Sequence, residues 1–269
     1  VTSPIQITDP DDPRLDDFRD LTTADRRPDR PGGRGLVVAE GTVVVRRLLA
    51  SAYPVRALLG VERRLQELES DLAGLDAPSY VASAELMAEV VGFHLNRGGL
   101  ATADRVLFPP AQDLLGSVSS VVMLEGVGDH ENLGSVFRNA AALGIGAVLL
   151  GEGCADPLYR RSVRVSMGTV LFVPFASVSG DWPEPADMLR ANGFTVVGLT
   201  PRPGAITLRS AGLSGRRVAL LLGSEGPGLT EMALDAADLH VRIPMANGVD
   251  SLNVATAGAI AFAEIAADR

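Results

Sequence analysis

Apolar residues along the chain fall in short runs separated by glycine, proline and charged clusters, a texture that predicts alternating strands and helices. In the first third, Gly35–Val38 reads as a strand. Val43–Ser51 then has helical spacing, with Val44, Leu48 and Leu49 on one side. Val55–Leu59 and Pro78–Val81 read as two further strands. Glu62–Leu72 is a charged amphipathic helix, and Ser83 stands where it can cap a helix over Ala84–Val91. This alternation predicts a small α/β domain over 36–107. Residues 1–35, rich in Asp, Arg and Pro, read as an extended arm with one short helical stretch around Leu15–Ala24.

The segment 108–117 opens on Pro109-Pro110 and closes on Gly116-Ser117, the punctuation of a linker. Beyond it the alternation is cleaner. Val118–Leu124 is a continuous apolar strand suited to a sheet buried on both faces. Ala147–Leu150, Leu171–Val173, Thr195–Leu199, Val218–Leu222 and His240–Ile243 follow as strands. Helices fit Asn132–Leu143, Pro183–Asn192, Thr230–Ala237 and Asn253–Ala266. Residues 118–269 are thus expected to form a mostly parallel sheet with helices on both faces.

Composition changes this picture little. At 269 residues the chain has room for about two domains. Its longest apolar runs, Val218–Leu222 and Ala257–Ala263, are too short to span a bilayer, and the polar start lacks a signal-peptide pattern, so a cytoplasmic location is expected. Cys154 is the lone cysteine, which excludes an internal disulfide, and it reads as an inert small residue. The histidines, His94, His130 and His240, lack ligand spacing, so no metal is expected. The net charge of −9 argues against a generic nucleic-acid binder. Yet every basic residue is arginine, clustered at Arg26, Arg27, Arg30 and Arg34 and paired at Arg46–Arg47, Arg63–Arg64, Arg160–Arg161 and Arg216–Arg217. Arginine suits bidentate phosphate contact, although a GC-rich coding bias also explains the missing lysines.

Three loops carry the candidate chemistry: Glu125–Arg138, Leu222–Leu229 and Ile243–Val254, each leading from a strand into a helix. In an open α/β sheet, ligands collect beyond the carboxyl ends of strands. The first loop has Gly126 and Gly128, but Glu131 stands where a dinucleotide fingerprint needs its third glycine. A phosphate-cradling loop needs a lysine, and there is none.

Taken in order, NLGSVFRNA, LLGSEGPGL and IPMANGVDSLNVATAGA resemble the three motifs of the SpoU (TrmH-like) branch of the SPOUT RNA methyltransferase superfamily. The resemblance covers about 118–269 and implies a deep trefoil knot, S-adenosylmethionine as methyl donor, and a homodimer. It implies that Gly223, Ser224, Glu225 and Gly228, with Ile243, Met245, Ser251, Leu252 and Asn253, hold the donor, together with Leu199 and Thr200. It implies that Asn132, Arg138, Glu225, Ser251 and Asn253 serve catalysis, with Arg138 beside the acceptor ribose and supplied by the second subunit. His130 stands where many relatives carry proline. Methyl transfer from a sulfonium is an in-line displacement that chiefly demands alignment. A ribose 2′-hydroxyl also needs stabilisation of developing negative charge.

Plainer roles stand beside these. Asn132, Ser251 and Asn253 could cap the helices that follow them, Glu225 could bind amides of its own loop, and Arg138 could sit in a surface salt bridge. Gly35–Gly41 and Gly92–Ala101 resemble the RNA-binding domain attached to many of these enzymes, which points to ribosomal RNA. Arg46, Arg47 and Arg97, with Arg138, are the candidate RNA contacts. The rival readings are a base-methylating SPOUT enzyme, a transfer RNA 2′-O-methyltransferase, and a non-catalytic RNA-binding or ribosome-assembly protein.

Overall fold

Leu15, Phe18 and Leu21 recur every third residue, the spacing that aligns side chains on a 3-10 helix, and in the structure all three are fully buried. The structure is a computed structural model that describes residues 4–25, 27, 30, 32–95 and 98–267. Arg97, one of the candidate RNA contacts, and Arg26 lie outside the described residues. The chain divides into two compact units.

The first unit is 1–107 together with 156–172. Its sheet uses β1 (Ile5–Gln6), β2 (Leu36–Glu40), β3 (Val55–Gly60), β4 (Ser79–Val81) and β5 (Gly99–Asp104), in the order β1-β4-β3-β5-β2. β1, β4 and β3 run parallel, while β5 is antiparallel to both β3 and β2. The helices are α1 (Leu21–Ala24), α2 (Thr42–Leu49), α3 (Glu62–Gln66) and α4 (Ala84–Val91). Ser83 caps α4 as expected, its hydroxyl accepting from the Leu86 amide at 3.2 Å. β5 has no counterpart in the expected elements, because its small residues Gly99, Ala101 and Ala103 lack the bulk that marks a strand.

The expected arm over 1–35 is instead largely part of this unit. β1 pairs with β4, a 3-10 turn occupies Pro13–Phe18, and Ile7, Leu15, Phe18 and Leu21 enter the core. Those four apolar residues outweigh the polar composition around them. The returning segment 156–172 is bound by ion pairs. Asp156 meets Arg105 at 2.6 Å, and Arg160 meets Glu40 at 3.0 Å while its guanidinium lies 4.2 Å from the Phe93 ring centroid. The Asp25 carboxyl is buried beside Arg160, and burial raises its pKa to about 6.

The second unit is 108–155 with 173–269. Its first helix, α5 (Ala111–Leu115), replaces the expected linker: Pro110 sits at the N-cap, and Leu114 and Leu115 are buried. Then follow β6 (Ser120–Leu124), α6 (His130–Ala142) and β7 (Ala147–Leu150). α7 (Arg160–Val165) belongs to the first unit. β8 (Phe175–Ser177), α8 (Glu184–Ala191), β9 (Thr195–Leu199), β10 (Ile206–Thr207), β11 (Val218–Leu222), α9 (Glu231–Asp235), β12 (Leu239–Arg242) and α10 (Val254–Ile265) complete it. The strand expected at Leu171–Val173 is not there. Thr169–Leu171 is a 3-10 turn entered through Gly168 at φ 83°, and β8 begins at Phe175.

The seven strands lie in the order β10-β12-β9-β11-β6-β7-β8, and every pairing is parallel. β6, β7 and β11 are buried along their whole length, which is why they read as unbroken apolar runs. One core layer joins Val121, Met123, Leu149, Leu189, Phe194, Val196, Leu221 and Leu234. Among the described residues, no helix is long and apolar enough to cross a membrane.

Candidate functional site

Strand order brings the three motif loops together. β12, β9, β11 and β6 are consecutive in the sheet and parallel, so the loops after them leave from one end of it. The loops after β9, β11 and β12 line a cavity of about 220 Å³, and the first motif loop reaches it only through Asn132, bonded to Glu225 and Asn253. Its lining includes Leu199, Thr200, Gly223, Ser224, Glu225, Gly228, Ile243, Met245, Ser251, Leu252 and Asn253, which are all the residues expected to hold the donor. Pro201, Leu222, Gly226, Pro227, Val254 and Ala257 complete it and were not singled out from the sequence. Ala257 is hidden in an ordinary helical period, but Gly226 and Pro227 could have been taken from the same motif.

The middle loop is a closed turn. Ser224 and Gly228 form a bridge, with the Gly228 amide donating to the Ser224 carbonyl at 3.0 Å. A Cβ on Gly223 would lie 2.1 Å from both the Gly228 carbonyl carbon and the Leu229 nitrogen. No side chain fits there, so the glycine is what allows the turn to close. Gly228 lies at φ 76°, in the left-handed region.

Two asparagines act differently from plain caps. α6 is capped by Asp129, whose carboxylate accepts from the Glu131 and Asn132 amides at 3.0 and 2.8 Å. The Asn132 side chain is therefore spared for tertiary contact. Its Nδ2 donates to Glu225 Oε2 at 2.9 Å, and its Oδ1 accepts from Asn253 Nδ2 at 2.6 Å. Asn253 does cap α10, its Oδ1 accepting from the Ala255 and Thr256 amides at 3.0 and 3.3 Å. One hydrogen-bonded chain thus links all three motifs, from a carboxylate through two amides to a helix N-terminus. Ser251 lies on the cavity wall and is not the cap.

Arg138 stands apart from this chain. It lies six residues beyond Asn132, about 9 Å along α6, is exposed, and its side chain makes no hydrogen bond or ion pair with any described residue. The surface salt bridge is therefore not made. α6 packs on α10, with Asn139 Nδ2 donating to the Ala255 carbonyl at 2.9 Å. In the first unit, Arg46 pairs with Asp71 at 2.8 Å and donates to the Glu67 carbonyl at 2.6 Å. Arg47 donates to the Met167 carbonyl at 2.5 Å. Cys154 is partly buried, its thiol donating to the Leu124 carbonyl at 3.3 Å, and burial raises its pKa. Among the described residues no group of three or more His, Cys, Asp or Glu could hold a metal ion.

Comparison with known proteins gives the following. The SpoU rRNA Methylase family matches residues 119–263. A Mycobacterium tuberculosis protein described as an uncharacterized tRNA/rRNA methyltransferase is 57% identical over 260 residues, covering 96% of this chain and 90% of that protein. The Bacillus subtilis 23S rRNA (guanosine(2553)-2′-O)-methyltransferase RlmP is 33% identical over 149 residues, covering 55% of this chain and 58% of its own. Among solved structures, one described as an RNA 2′-O ribose methyltransferase superposes with a TM-score of 0.76 at 28% identity, covering 97% of both chains.

Proposed function

The chain belongs to the SpoU rRNA Methylase family, and from that membership we propose that it transfers a methyl group from S-adenosylmethionine to a ribose 2′-hydroxyl of ribosomal RNA. The observation that carries the reading is the joining of Glu225, Asn132 and Asn253 at the mouth of the glycine-lined cavity. That cavity has an apolar wall of Leu199, Leu222, Ile243, Met245 and Leu252, which suits the faces of an adenine ring. Its glycines expose backbone amides and carbonyls for the ring edge and ribose. Its volume of about 220 Å³ would hold the nucleoside part of the donor.

S-adenosylmethionine, when bound, supplies a methyl on a sulfonium, a leaving group that needs no acid. The protein has two tasks: alignment, and care of the charge on the attacking oxygen. Glu225, Asn132 and Asn253 brace the motif loops against one another. Arg138 acts as a positive charge and a phosphate clamp, a guanidinium offering donors and no acceptor, and the hydroxyl proton leaves to a phosphate oxygen or water. The exposed Arg138 side chain, bonded to no described residue, supports its supply to a second subunit's site in a homodimer. The trefoil knot belongs to the same reading, supported by β11 lying between β6 and β9 and by the return of α10 onto α6. In the first unit, Arg46 and Arg47 are the RNA contacts, Arg46 remaining half exposed despite its pairing.

The 2′-O assignment draws on the structure at 28% identity and the partial relative at 33%. The test is to map 2′-O-methyl marks in ribosomal RNA from cells with and without the gene. The mark that disappears is then rebuilt in a short RNA with a 2′-deoxy target. A 2′-O enzyme fails on that substrate, whereas methylation of it identifies a base methylase.

A further inference from the structure

Glu125 heads the first motif loop, yet the methyl-transfer chemistry assigns it nothing. Its position is unusual. Its main-chain amide donates to the carbonyl of Leu222, the last residue before the loop 223–229, at 2.9 Å. Its side chain accepts from the first residue after that loop: the Thr230 amide reaches Oε2 at 2.8 Å and the Thr230 hydroxyl reaches Oε1 at 2.9 Å. One residue therefore holds both ends of the loop. The neighbouring Gly126 lies against it as well, since a Cβ there would come within 3.3 Å of Ser224 Cβ.

The carboxylate is itself oriented. The Trp182 indole Nε1 donates to Glu125 Oε1 at 2.7 Å, and the half-buried ring packs on the core of the unit. The Thr230 hydroxyl donates to Glu125 and accepts from the Ala233 amide at 3.2 Å, capping α9. Three donors converge on two carboxylate oxygens. An amide in that place offers one accepting oxygen and turns an NH₂ toward a donor. The arrangement specifies a carboxylate, not just a polar residue.

We infer that Glu125 is a positioning residue that sets the spacing of the two ends of loop 223–229, and that Trp182 orients it and registers the state of that loop. The inference rests on the donor reading of the loop. Glu125 acts through backbone geometry, so its loss weakens donor binding more than the chemical step. Trp182 is the sole tryptophan of the chain, so its emission reports on this one hydrogen bond.

The test uses full-length protein, with S-adenosylmethionine and S-adenosylhomocysteine as probes. Calorimetry on Glu125→Gln should show the dissociation constant for both raised about tenfold. The KM for the donor should rise in step, while kcat with RNA stays within about threefold. Trp182→Phe, which removes only the indole donor, should raise the constant by a smaller factor. In the wild type, titration with S-adenosylhomocysteine should change Trp182 emission, and Glu125→Gln should abolish that change. Trp182→Phe answers the question if Glu125→Gln fails to fold. Folded variants that bind both probes as tightly as the wild type overturn the inference. A loss of kcat with donor affinity unchanged overturns it too. A wild type that binds neither probe removes the donor reading itself, which is a different failure.

Discussion

Asn132 donates its side-chain amide to the carboxylate of Glu225 across 2.9 Å, joining loops 93 positions apart in the chain. The bond fixes which end of the Asn132 amide faces Glu225, so its oxygen is left to receive Asn253 at 2.6 Å. The arrangement is directional, and changing its middle member should disturb both ends.

Asn132→Asp tests this. The new carboxylate would face that of Glu225, and two like charges at that distance raise the affinity of the pair for a proton. Methyl transfer should fall at least about tenfold at neutral pH, with part of it returning as the pH is lowered and the pair shares a proton. Asn132→Ala should lose comparable activity without that recovery. Rate–pH profiles on the two variants separate the outcomes.

Arg138 is exposed and unbonded to any described residue, so its removal should leave folding untouched. Arg138→Ala is expected to melt within about a degree of wild type and to bind S-adenosylmethionine normally. Its turnover should drop about a hundredfold, the usual scale for losing a charge that stabilises a transition state. If methyl transfer stays intact in the folded variant, the role assigned to Arg138 is wrong.

Subunit sharing makes a separate prediction. Arg138→Ala and Asn132→Ala proteins, each strongly impaired alone, should reach about a quarter of wild-type activity when unfolded and refolded together in equal amounts. Half the resulting dimers would then hold one intact composite site. No recovery, from a mixture shown to contain mixed dimers, would place Arg138 in its own subunit's site.

Gly223 leaves no room for a side chain, with a Cβ falling 2.1 Å from backbone atoms of Gly228 and Leu229. Gly223→Ala must force the turn open. It should abolish donor binding and cost about 1–3 kcal/mol of stability, the range for overpacking. Gly226→Ala, where no atom lies within 4 Å of the added carbon, meets only the penalty of its φ of 88° and should be milder. Denaturant titration and calorimetry give both quantities.

The buried Asp25 makes stability depend on pH in an unusual direction. Its carboxyl has a pKa of about 6, raised chiefly by burial and against the pull of Arg160. A carboxyl with a raised folded pKa favours the folded state when protonated. That contribution is complete below the unfolded pKa of about 3.9 and is lost as the pH rises through about 6. Relative to Asp25→Asn, wild-type stability should therefore decline by about 2 kcal/mol from pH 4 to pH 6.5 and level off above about pH 7. Chemical denaturation of both proteins across that range measures the difference, and parallel curves would show that Asp25 does not titrate there.

Much of the second unit is legible from local pattern. Ala147–Leu150, Thr195–Leu199 and Val218–Leu222 form strands at the expected residues, because a parallel strand buried on both faces has to be apolar throughout. The cap at Ser83 and the cap at Asn253 are local hydrogen bonds and are equally readable. The three motifs can be ordered from sequence because their glycines and polar residues interrupt those runs. Tertiary contact decided the rest. Ile7, Leu15, Phe18 and Leu21 look like stray apolar residues in a polar arm until a sheet edge and a core exist to receive them. Residues 156–172 have no local mark assigning them to the first unit; the ion pairs of Asp156 and Arg160 with Arg105 and Glu40 do that. The cap of α6 falls to Asp129, which frees Asn132, and Asn132 finds Glu225 only because β6 and β11 are neighbours in the sheet. A hydrophobic period records which face of an element is buried. It does not record which elements become neighbours, and that depends on the free energy of the whole packed sheet.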